Sequence, residues 1–312
     1  MEELKKIDIV IVNWNSGDQL KKCLDSIARL ECDTLSKVIV VDNDSFDGSA
    51  DSLETVGLPL QVIYNNENLG FACACNHGAR ECHAPYLLFL NPDTEIFDHS
   101  LTKPLAFMEE DNASTVGICG IQLVDEKGQI SRSCARFPTI KRFAMQAIGL
   151  NKLPGLKGEG VHMDDWDHLT NKTVDHVIGA FFFMRRQLFD VLGGFDERFF
   201  VYLEDVDFSL RAKKAGWESY YLADAQAFHK GGGSSQRVKA IRLFYSLQSR
   251  SLYSFKHFNG LQAWLLFGVM ATIEPITRSV FSLFRGGLED LKNTWSAYAR
   301  WYRNLPTILN RL

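Results

Sequence analysis

The sequence predicts an α/β protein, a mostly parallel sheet flanked by helices, carrying a helical extension at its C-terminal end. Three observations lead there. Short apolar runs alternate with amphipathic helical stretches, each apolar run ends in polar turn chemistry, and charge is divided unevenly along the chain. From Arg237 onward eleven Lys/Arg stand against three acids, a surplus of eight, whereas the 312 residues together carry −4. An acidic body therefore precedes a basic, aromatic-rich tail, which divides the chain at 1–236 and 237–312.

Residues 7–12 are an almost unbroken apolar run, the pattern of a strand buried on both faces. The run closes in Asn13-Trp14-Asn15-Ser16-Gly17, and residues 18–30 follow with Leu20, Leu24 and Ile27 on one helical face. The cycle repeats at 37–41, ending in Asp42-Asn43-Asp44-Ser45. It returns at 60–64, ending in Asn65-Asn66-Glu67-Asn68, and at 86–90, ending in Asn91-Pro92-Asp93. Strands separated by helices and closed by polar ends form parallel sheets. In open sheets of this kind ligands bind outside the carboxyl ends of the strands. The amides and carboxylates at those ends are expected to line one site, in a nucleotide-binding half spanning about 1–125. The half at 126–236 is less regular: strands at 116–123 and 177–184, a basic loop at 131–138, a mobile surface loop at 151–171, and a helix at 204–215 stopped by Gly216.

Hydrophobic residues make up 46% and charged residues 23% of the chain, which excludes disordered, collagen-like and disulfide-scaffold classes. A net charge of −4 gives no reason to expect a nucleic-acid partner. The seven cysteines lack a second C-x-C pair to complete a metal site, so buried free thiols in a reducing compartment are expected. No secretory signal is read at the N-terminus. The uncharged run between Lys256 and Glu274 has seventeen residues, short of the ~20 that span a bilayer. The first strand is not followed by G-x-G-x-x-G, and no G-x-x-x-x-G-K-[ST] loop is present, which argues against dinucleotide and P-loop chemistry. Acids at strand ends near a diphosphate make chemical sense with a hard divalent cation between them.

Seven blocks, in order, carry a resemblance. They are residues 7–17 (IDIVIVNWNSG), 40–49 (VVDNDSFDGS), Asn68-Leu69-Gly70-Phe71-Ala72 through Asn76, Leu88-Phe89-Leu90-Asn91-Pro92-Asp93, Gly193-Gly194-Phe195-Asp196-Glu197, 202–211 (YLEDVDFSLR) and 229–234 (HKGGGS). This series resembles glycosyltransferase family 2 with its GT-A fold. The V-N-W-N opening, the N-P-D block and Ser249-Arg250…Tyr253…Lys256-His257 are most similar to its rhamnosyltransferase-like branch, which uses dTDP-rhamnose.

The resemblance implies roles residue by residue. Asn13 and Asn15 contact the nucleotide, and Asp42 reads the pyrimidine ring. Asn68, Gly70 and Asn76 lie in the block that packs against the nucleoside. Asn91-Pro92-Asp93 takes the place of the family's D-x-D, so Asp93 is the expected ligand of Mn²⁺ or Mg²⁺, with His229 completing the metal shell. The first acid of that motif is absent here, which leaves metal dependence open. The glycines after His229 would close a loop over the diphosphate. Asp205 is the expected base for an inverting transfer, supported by Glu204 and Arg211. The local sequence alone equally allows Glu204, Asp205 and Asp207 simply to favour a helix N-terminus.

In the tail, Phe284, Leu288, Leu291, Trp295, Tyr298, Tyr302 and Leu305 form a helical stripe flanked by Arg300, Arg303 and Arg311. A basic helix with aromatic anchors suits an anionic membrane surface, while a docked core helix and a homodimer seam remain alternatives. The expected function is transfer of a sugar, best L-rhamnose, onto a hydroxyl of a lipid-linked or cell-surface glycan precursor, on the cytoplasmic face of a membrane. A UDP-hexose donor is the alternative within that chemistry; a catalytically silent sugar-binding protein is the alternative outside it.

Overall fold

The computed structural model describes residues 5–30, 32–51, 53, 57–150, 155, 160–231, 239–285 and 287–311. In chain order the elements are β1 (Ile7–Asn13), α1 (Asp18–Ala28), β2 (Leu35–Asp42), β3 (Leu60–Tyr64), α2 (Phe71–Arg80), β4 (Tyr86–Leu90), β5 (Thr94–Ile96) and α3 (Thr102–Met108). Next come β6 (Val116–Val124), β7 (Ile130–Ser131), β8 (Cys134–Ala135), α4 (Ile140–Ala147), β9 (Lys172–Val174), β10 (His176–Val177), β11 (Phe181–Arg185) and α5 (Arg186–Leu192). The chain ends in α6 (Glu204–Lys214), β12 (Glu218–His229), α7 (Lys239–His257), α8 (Gly260–Arg285), α9 (Gly287–Arg303) and α10 (Leu305–Asn310). These elements sort into two compact units. One comprises Met1–Ala135, Asp167–Glu197 and Glu204–Ser234; the other Arg136–Trp166, Arg198–Leu203 and Ser235–Leu312.

The first unit is organised by a sheet of order β3-β2-β1-β4-β11-β6-β12-β5, with β7 added to β6 and β9 to β12. The first four strands in that order are mutually parallel, as their apolar runs predict, whereas β11 runs antiparallel between β4 and β6. All seven residues of β1 are buried because helices cover both of its faces. On one face Ile7, Ile9 and Ile11 share a core with Leu20, Cys23, Leu24 and Ile27 of α1. On the other, α2 approaches through Gly78, where an added Cβ would lie 2.6 Å from a Val10 methyl and 2.9 Å from one of Val41. The absence of a side chain at Gly78 is what lets that helix lie so close.

Parallel register then aligns the strand ends. Asn13 is paired with Asp42 and Asp42 with Tyr64, so the polar residues that close β1, β2 and β3 stand side by side.

Two expectations are corrected. The apolar run 177–184 is not one strand. It breaks at 178–180, with β10 pairing β8 in a separate two-stranded sheet and β11 entering the main one. Unbroken apolarity hides the switch, and Gly179 is the only mark of it in the sequence. The basic segment 131–138 likewise contains β7 and β8 rather than loop throughout. In the stretch 151–171, residues 151–154 and 156–159 lie outside the described residues. The later part is packed: His168 is buried, its Nε2 accepts from the Cys134 N–H at 3.2 Å, and its carbonyl accepts from Gln122 at 2.9 Å. Helix α6 does stop at Gly216, whose φ of 90° suits glycine. Trp217 N–H reaches the Ala212 carbonyl and Gly216 N–H that of Lys213, the double bond of a Schellman cap.

The second unit is helical. Pro275 lies inside α8, where it cannot donate to the carbonyl of Ala271; the Tyr302 hydroxyl donates to that carbonyl instead. Glu274, fully buried, accepts from Arg250 Nη2 on both oxygens at 2.7 Å and from Arg278 Nε at 2.8 Å. The aromatic stripe foreseen in the tail is split. Tyr298 is buried with Trp301, while Phe284, Leu288 and Trp295 are exposed. A second apolar surface was not foreseen. Leu261, Trp264 and Leu265, then Ile273, Ile276, Val280, Leu283 and Phe284, lie exposed along α8. Among the described residues no helix is long and apolar enough to cross a membrane.

Candidate active site

The carboxyl ends of β1 and β2 are tied together by side chains. Asn13 Nδ2 donates to Asp42 Oδ1 at 2.7 Å and to Ser49 at 2.8 Å, and its Oδ1 accepts from the Ser16 hydroxyl. Asp42 Oδ2 accepts from the Ser45 N–H at 3.1 Å. Asn15, at φ 50°, accepts from the Phe46 N–H at 3.0 Å and leaves the Phe46 ring 87% exposed beside these strand ends. Asn13 and Asp42 therefore shape the loop through each other, and Phe46 is the aromatic face that sequence reasoning passed over.

Asn43 is a second residue not singled out from the sequence. Its amide donates to Asn68 Oδ1 at 2.8 Å, and its carbonyl oxygen accepts from Asn65 at 3.0 Å and from the Leu69 N–H at 3.1 Å. Asn68 also accepts from the Gly70 N–H, at the start of α2. Asn76 is committed differently. It exchanges bonds with both backbone groups of Phe195, at 2.9 and 2.8 Å, and donates to Glu197 at 3.0 Å. It ties α2 to the turn after α5. Arg211 ends in the same turn, donating to the carbonyls of Leu192 and Gly194 at 2.9 and 2.8 Å and pairing with buried Asp207. Asn76 and Arg211 thus brace the turn before the E-D block.

Strand pairing explains how Asp93 meets His229. β5 runs antiparallel to the end of β12 with Thr94 opposite His229, so the residue before one strand faces the residue ending the other. The Lys230 N–H reaches the Asp93 carbonyl at 3.1 Å, and His229 Nε2 lies 3.4 Å from Asp93 Oδ1, both side chains largely buried. Among the described residues no group of three or more His, Cys, Asp or Glu side chains could hold a metal. One carboxylate and one imidazole fit a divalent cation that takes its remaining ligands from water and substrate phosphates; the carboxylate suits Mg²⁺ or Mn²⁺, and the imidazole makes the site less typical of Mg²⁺. Asn91 supplies no second carboxylate. Its N–H donates to the Ala180 carbonyl at 3.0 Å. Residues 232–235 of the glycine-rich segment lie outside the described residues.

The break before β11 holds the acid block. Gly179 N–H donates to Asp205 Oδ2 at 2.9 Å, one residue from the Ala180 carbonyl that holds Asn91. Val206 N–H donates to Asp205 Oδ1 at 2.8 Å. Asp205 is thus fixed at the first turn of α6, next to the end of β4. His176, absent from the sequence-based set, faces it with Nε2 3.5 Å from Oδ2, while Nδ1 lies 3.1 Å from the Ser209 hydroxyl. Its only sequence signal was a histidine directly before an apolar run.

Burial would raise the Asp205 carboxyl, but His176 and the two N–H donors outweigh it and hold the group below the ordinary carboxylate value. Neighbouring Glu204 goes the other way. Burial first, and then the Asp205 charge, push it well above its usual value. The two shifts run in opposite directions: the ionised, proton-accepting form is favoured at Asp205 and disfavoured at Glu204, while Asp207 is taken up by Arg211.

The sheet with its mixed order and the acid block at its carboxyl edge define a GT-A glycosyltransferase fold. Solved structures agree. A mannosyltransferase from Pyrobaculum calidifontis, in complex with GDP-Man and Mn²⁺, superposes with TM-score 0.56 over 98% of this chain and 84% of its own, at 16% identity. GalNAc-T7 with UDP, GalNAc and Mn²⁺ gives TM-score 0.58 over 81% of this chain and 51% of its own, at 16% identity. The profile of the family described as Glycosyl transferase family 2 matches residues 8–193, and the chain belongs to that family. Among curated relatives it is 27% identical to the N-acetylglucosaminyl-diphospho-decaprenol L-rhamnosyltransferase of Mycobacterium tuberculosis (strain H37Rv), over 80% of this chain and 83% of that one. It is 28% identical to the rhamnosyltransferase WbbL of Escherichia coli (strain K12), over 71% and 82%.

Proposed function

We propose that this family 2 glycosyltransferase moves L-rhamnose from dTDP-rhamnose, with inversion, onto a hydroxyl of a glycan carried by a polyprenyl diphosphate. The observation that carries the reading is the Asp205 carboxylate, held ionised by His176, Gly179 and Val206 at the edge where the strands end. The rhamnosyltransferase relatives support the sugar, and the name of the mycobacterial one supports the acceptor class.

In this reading the strand-end loops around Asn13, Asn15, Asp42 and Asn68 receive the nucleoside, with the exposed Phe46 ring offering a stacking face. Asp93 and His229 hold a divalent cation, which when bound neutralises charge on the donor diphosphate. Asp205 takes the proton of the acceptor hydroxyl as its oxygen bonds to the anomeric carbon. The bond to the diphosphate breaks and its electron pair leaves with the nucleotide. A single displacement of this kind inverts the carbon and needs no covalent glycosyl-enzyme. His176 and Ser209 set the orientation of the base.

The exposed apolar side of α8, with the surplus of basic residues in the tail, supports a peripheral position on an anionic membrane, where such an acceptor resides. Incubation with dTDP-rhamnose and a short polyprenyl-diphosphate-linked N-acetylglucosamine, with UDP-hexoses run in parallel, tests the reading by mass spectrometry of the product. A product one deoxyhexose heavier is expected with dTDP-rhamnose. Turnover with a UDP-hexose alone would overturn the donor assignment.

A further inference from the structure

The helical unit carries an open surface pocket of ≈ 330 Å³ lined by Tyr202, Lys239, Arg242, Leu243, Ser246 and Arg278. Four of these belong to α7 at positions i, i+3, i+4 and i+7, one face of the helix. Arg278 comes from α8 and Tyr202 from the segment Arg198–Leu203. The lining offers three cations, two hydroxyls and a single leucine, and no carboxylate.

The charges behind the wall do not cancel this. Glu274 serves Arg250 and Arg278 together, so that triad retains one positive charge. Arg242 adds another: among the described residues its guanidinium makes one hydrogen bond, from Nε to the Tyr202 hydroxyl at 3.3 Å. Lys239 is drawn to Asp290 at 3.0 Å, with Glu289 adding to the attraction. Four cations, Arg242, Arg250, Arg278 and Lys239, thus stand against three acids, Glu274, Asp290 and Glu289, and a surplus of one remains. Forked guanidinium donors beside hydroxyls are the donor set that recognises phosphate oxygens. The volume lies at the small end of ligand pockets and suits a headgroup rather than a whole nucleotide sugar. Tyr202 itself is held at φ 71°, with Leu203 at 66°, a left-handed pair that non-glycine residues adopt at a cost and that clusters at ligand sites. Asp205 follows three residues later in the chain.

We propose that this pocket is a phosphate-recognition site of the helical unit, separate from the nucleotide loops, that takes the diphosphate of a polyprenyl-linked acceptor. The choice of that source rests on the acceptor class proposed above; the anion chemistry does not. Arg242 is the principal contact, and Lys239, Arg278, Tyr202 and Ser246 complete it.

The test is calorimetric titration of the full chain in EDTA with farnesyl diphosphate, farnesol, inorganic pyrophosphate and phosphatidylglycerol vesicles. Farnesyl diphosphate should bind and farnesol should not. Arg242→Gln should weaken farnesyl diphosphate by roughly 10-fold or more, the worth of a charge-assisted pair, and Arg242→Lys by less, with unchanged melting temperatures. Pyrophosphate should follow the same order at lower affinity, and Asp42→Ala, at the nucleotide loops, should leave it unaltered. Equal affinity in wild type and Arg242→Gln would overturn the site. Loss on Asp42→Ala would move the binding to the nucleotide loops and overturn it as well. If Arg242→Gln abolishes vesicle binding while farnesyl diphosphate is unaffected, the pocket reads a phospholipid headgroup and the acceptor assignment fails. A chain that binds farnesyl diphosphate through Arg242 yet transfers no rhamnose keeps this site and loses the proposed reaction. A chain that transfers rhamnose with an unchanged KM for the lipid acceptor in Arg242→Gln keeps the reaction and loses the site.

Discussion

His176 Nε2 stands 3.5 Å from Asp205 Oδ2, and the opposite nitrogen of the same ring stands 3.1 Å from the Ser209 hydroxyl. Ser209 donates its own proton to the Asp205 carbonyl at 2.9 Å, so towards His176 it can only accept. Nδ1 therefore carries a hydrogen, and Nε2 is the atom left to meet the carboxylate. If this ring acts through Asp205, its loss is read in a pH profile. Removing His176 takes away the neighbour that lowers the Asp205 carboxyl, so His176→Ala should shift the acid limb of kcat/KM to higher pH. An unmoved limb would leave His176 a packing residue.

Asp205→Asn keeps the bond from Gly179 and cannot take the proton. Turnover should fall at least ~100-fold by the usual worth of a general base, while donor binding, followed by calorimetry, survives. The sign of the carboxyl shift also sets the wild-type profile. Because the folded value lies below the ordinary one, the base stays ionised through neutral pH and its limb should appear only below the normal carboxylate range. Near-normal turnover in the asparagine variant would remove Asp205 from the role.

What the sequence disclosed and what it hid divide along physical lines. Buried parallel strands announce themselves because helices cover both faces, so β1, β2 and β4 were legible as apolar runs, and so was the alignment of Asn13 with Asp42 at their ends. Asp205 was legible only through the matched block, since acids at a helix start have an ordinary explanation. His176 was not legible, because its position depends on the break at Gly179, and an apolar run does not show where a strand changes sheets. Nor was the exposed side of α8, since mean hydropathy alone cannot say which face of a long helix is covered.

Asp93 and His229 come together through the register of β5 on β12, which predicts a shared ligand. EDTA should depress wild-type turnover and Mn²⁺ or Mg²⁺ restore it. Asp93→Ala should raise the donor KM and reduce kcat/KM at least ~100-fold, as loss of several kcal/mol of charge neutralisation implies. A wild-type rate indifferent to EDTA would show that the single carboxylate in Asn91-Pro92-Asp93 serves no metal.

Glu274 anchors α8 to α7 through buried Arg250. Glu274→Ala would strand that guanidinium, and removal of one partner of a buried pair costs about 3–5 kcal/mol, measured as a lower urea midpoint at pH 7. Burial raises the Glu274 carboxyl, but Arg250 and Arg278 outweigh it and the folded value is depressed. Its stabilisation is therefore complete above the unfolded glutamate value of about 4.3 and is lost as pH falls through the folded one. The gap between wild type and Glu274→Ala should narrow in acid. A constant gap would mean that the ion pair does not titrate with folding.

The exposed side of α8 makes the remaining prediction, and it separates membrane contact from self-association. Trp264 is 55% and Phe284 83% exposed, and Leu261, Ile276 and Leu283 lie with them. Full burial of each large apolar side chain is worth about 1.5–3 kcal/mol, and each Lys or Arg near an anionic leaflet adds about 1 kcal/mol, screened by salt. The chain should co-sediment with phosphatidylglycerol vesicles, bind neutral vesicles weakly, and lose part of its binding, not all, at high salt. Replacing Trp264 and Phe284 together by Ser should remove the salt-resistant part and weaken binding at least ~10-fold; Trp264 also packs edge-on against Phe255 and Phe267, so circular dichroism is read alongside to show that the helices are kept. A homodimer seam on the same face makes the opposite prediction. The wild type would then sediment as a dimer without lipid and the double variant as a monomer, with vesicle binding alike in both. That result would remove the apolar face from the argument for a membrane-borne acceptor and leave it resting on the rhamnosyltransferase relatives.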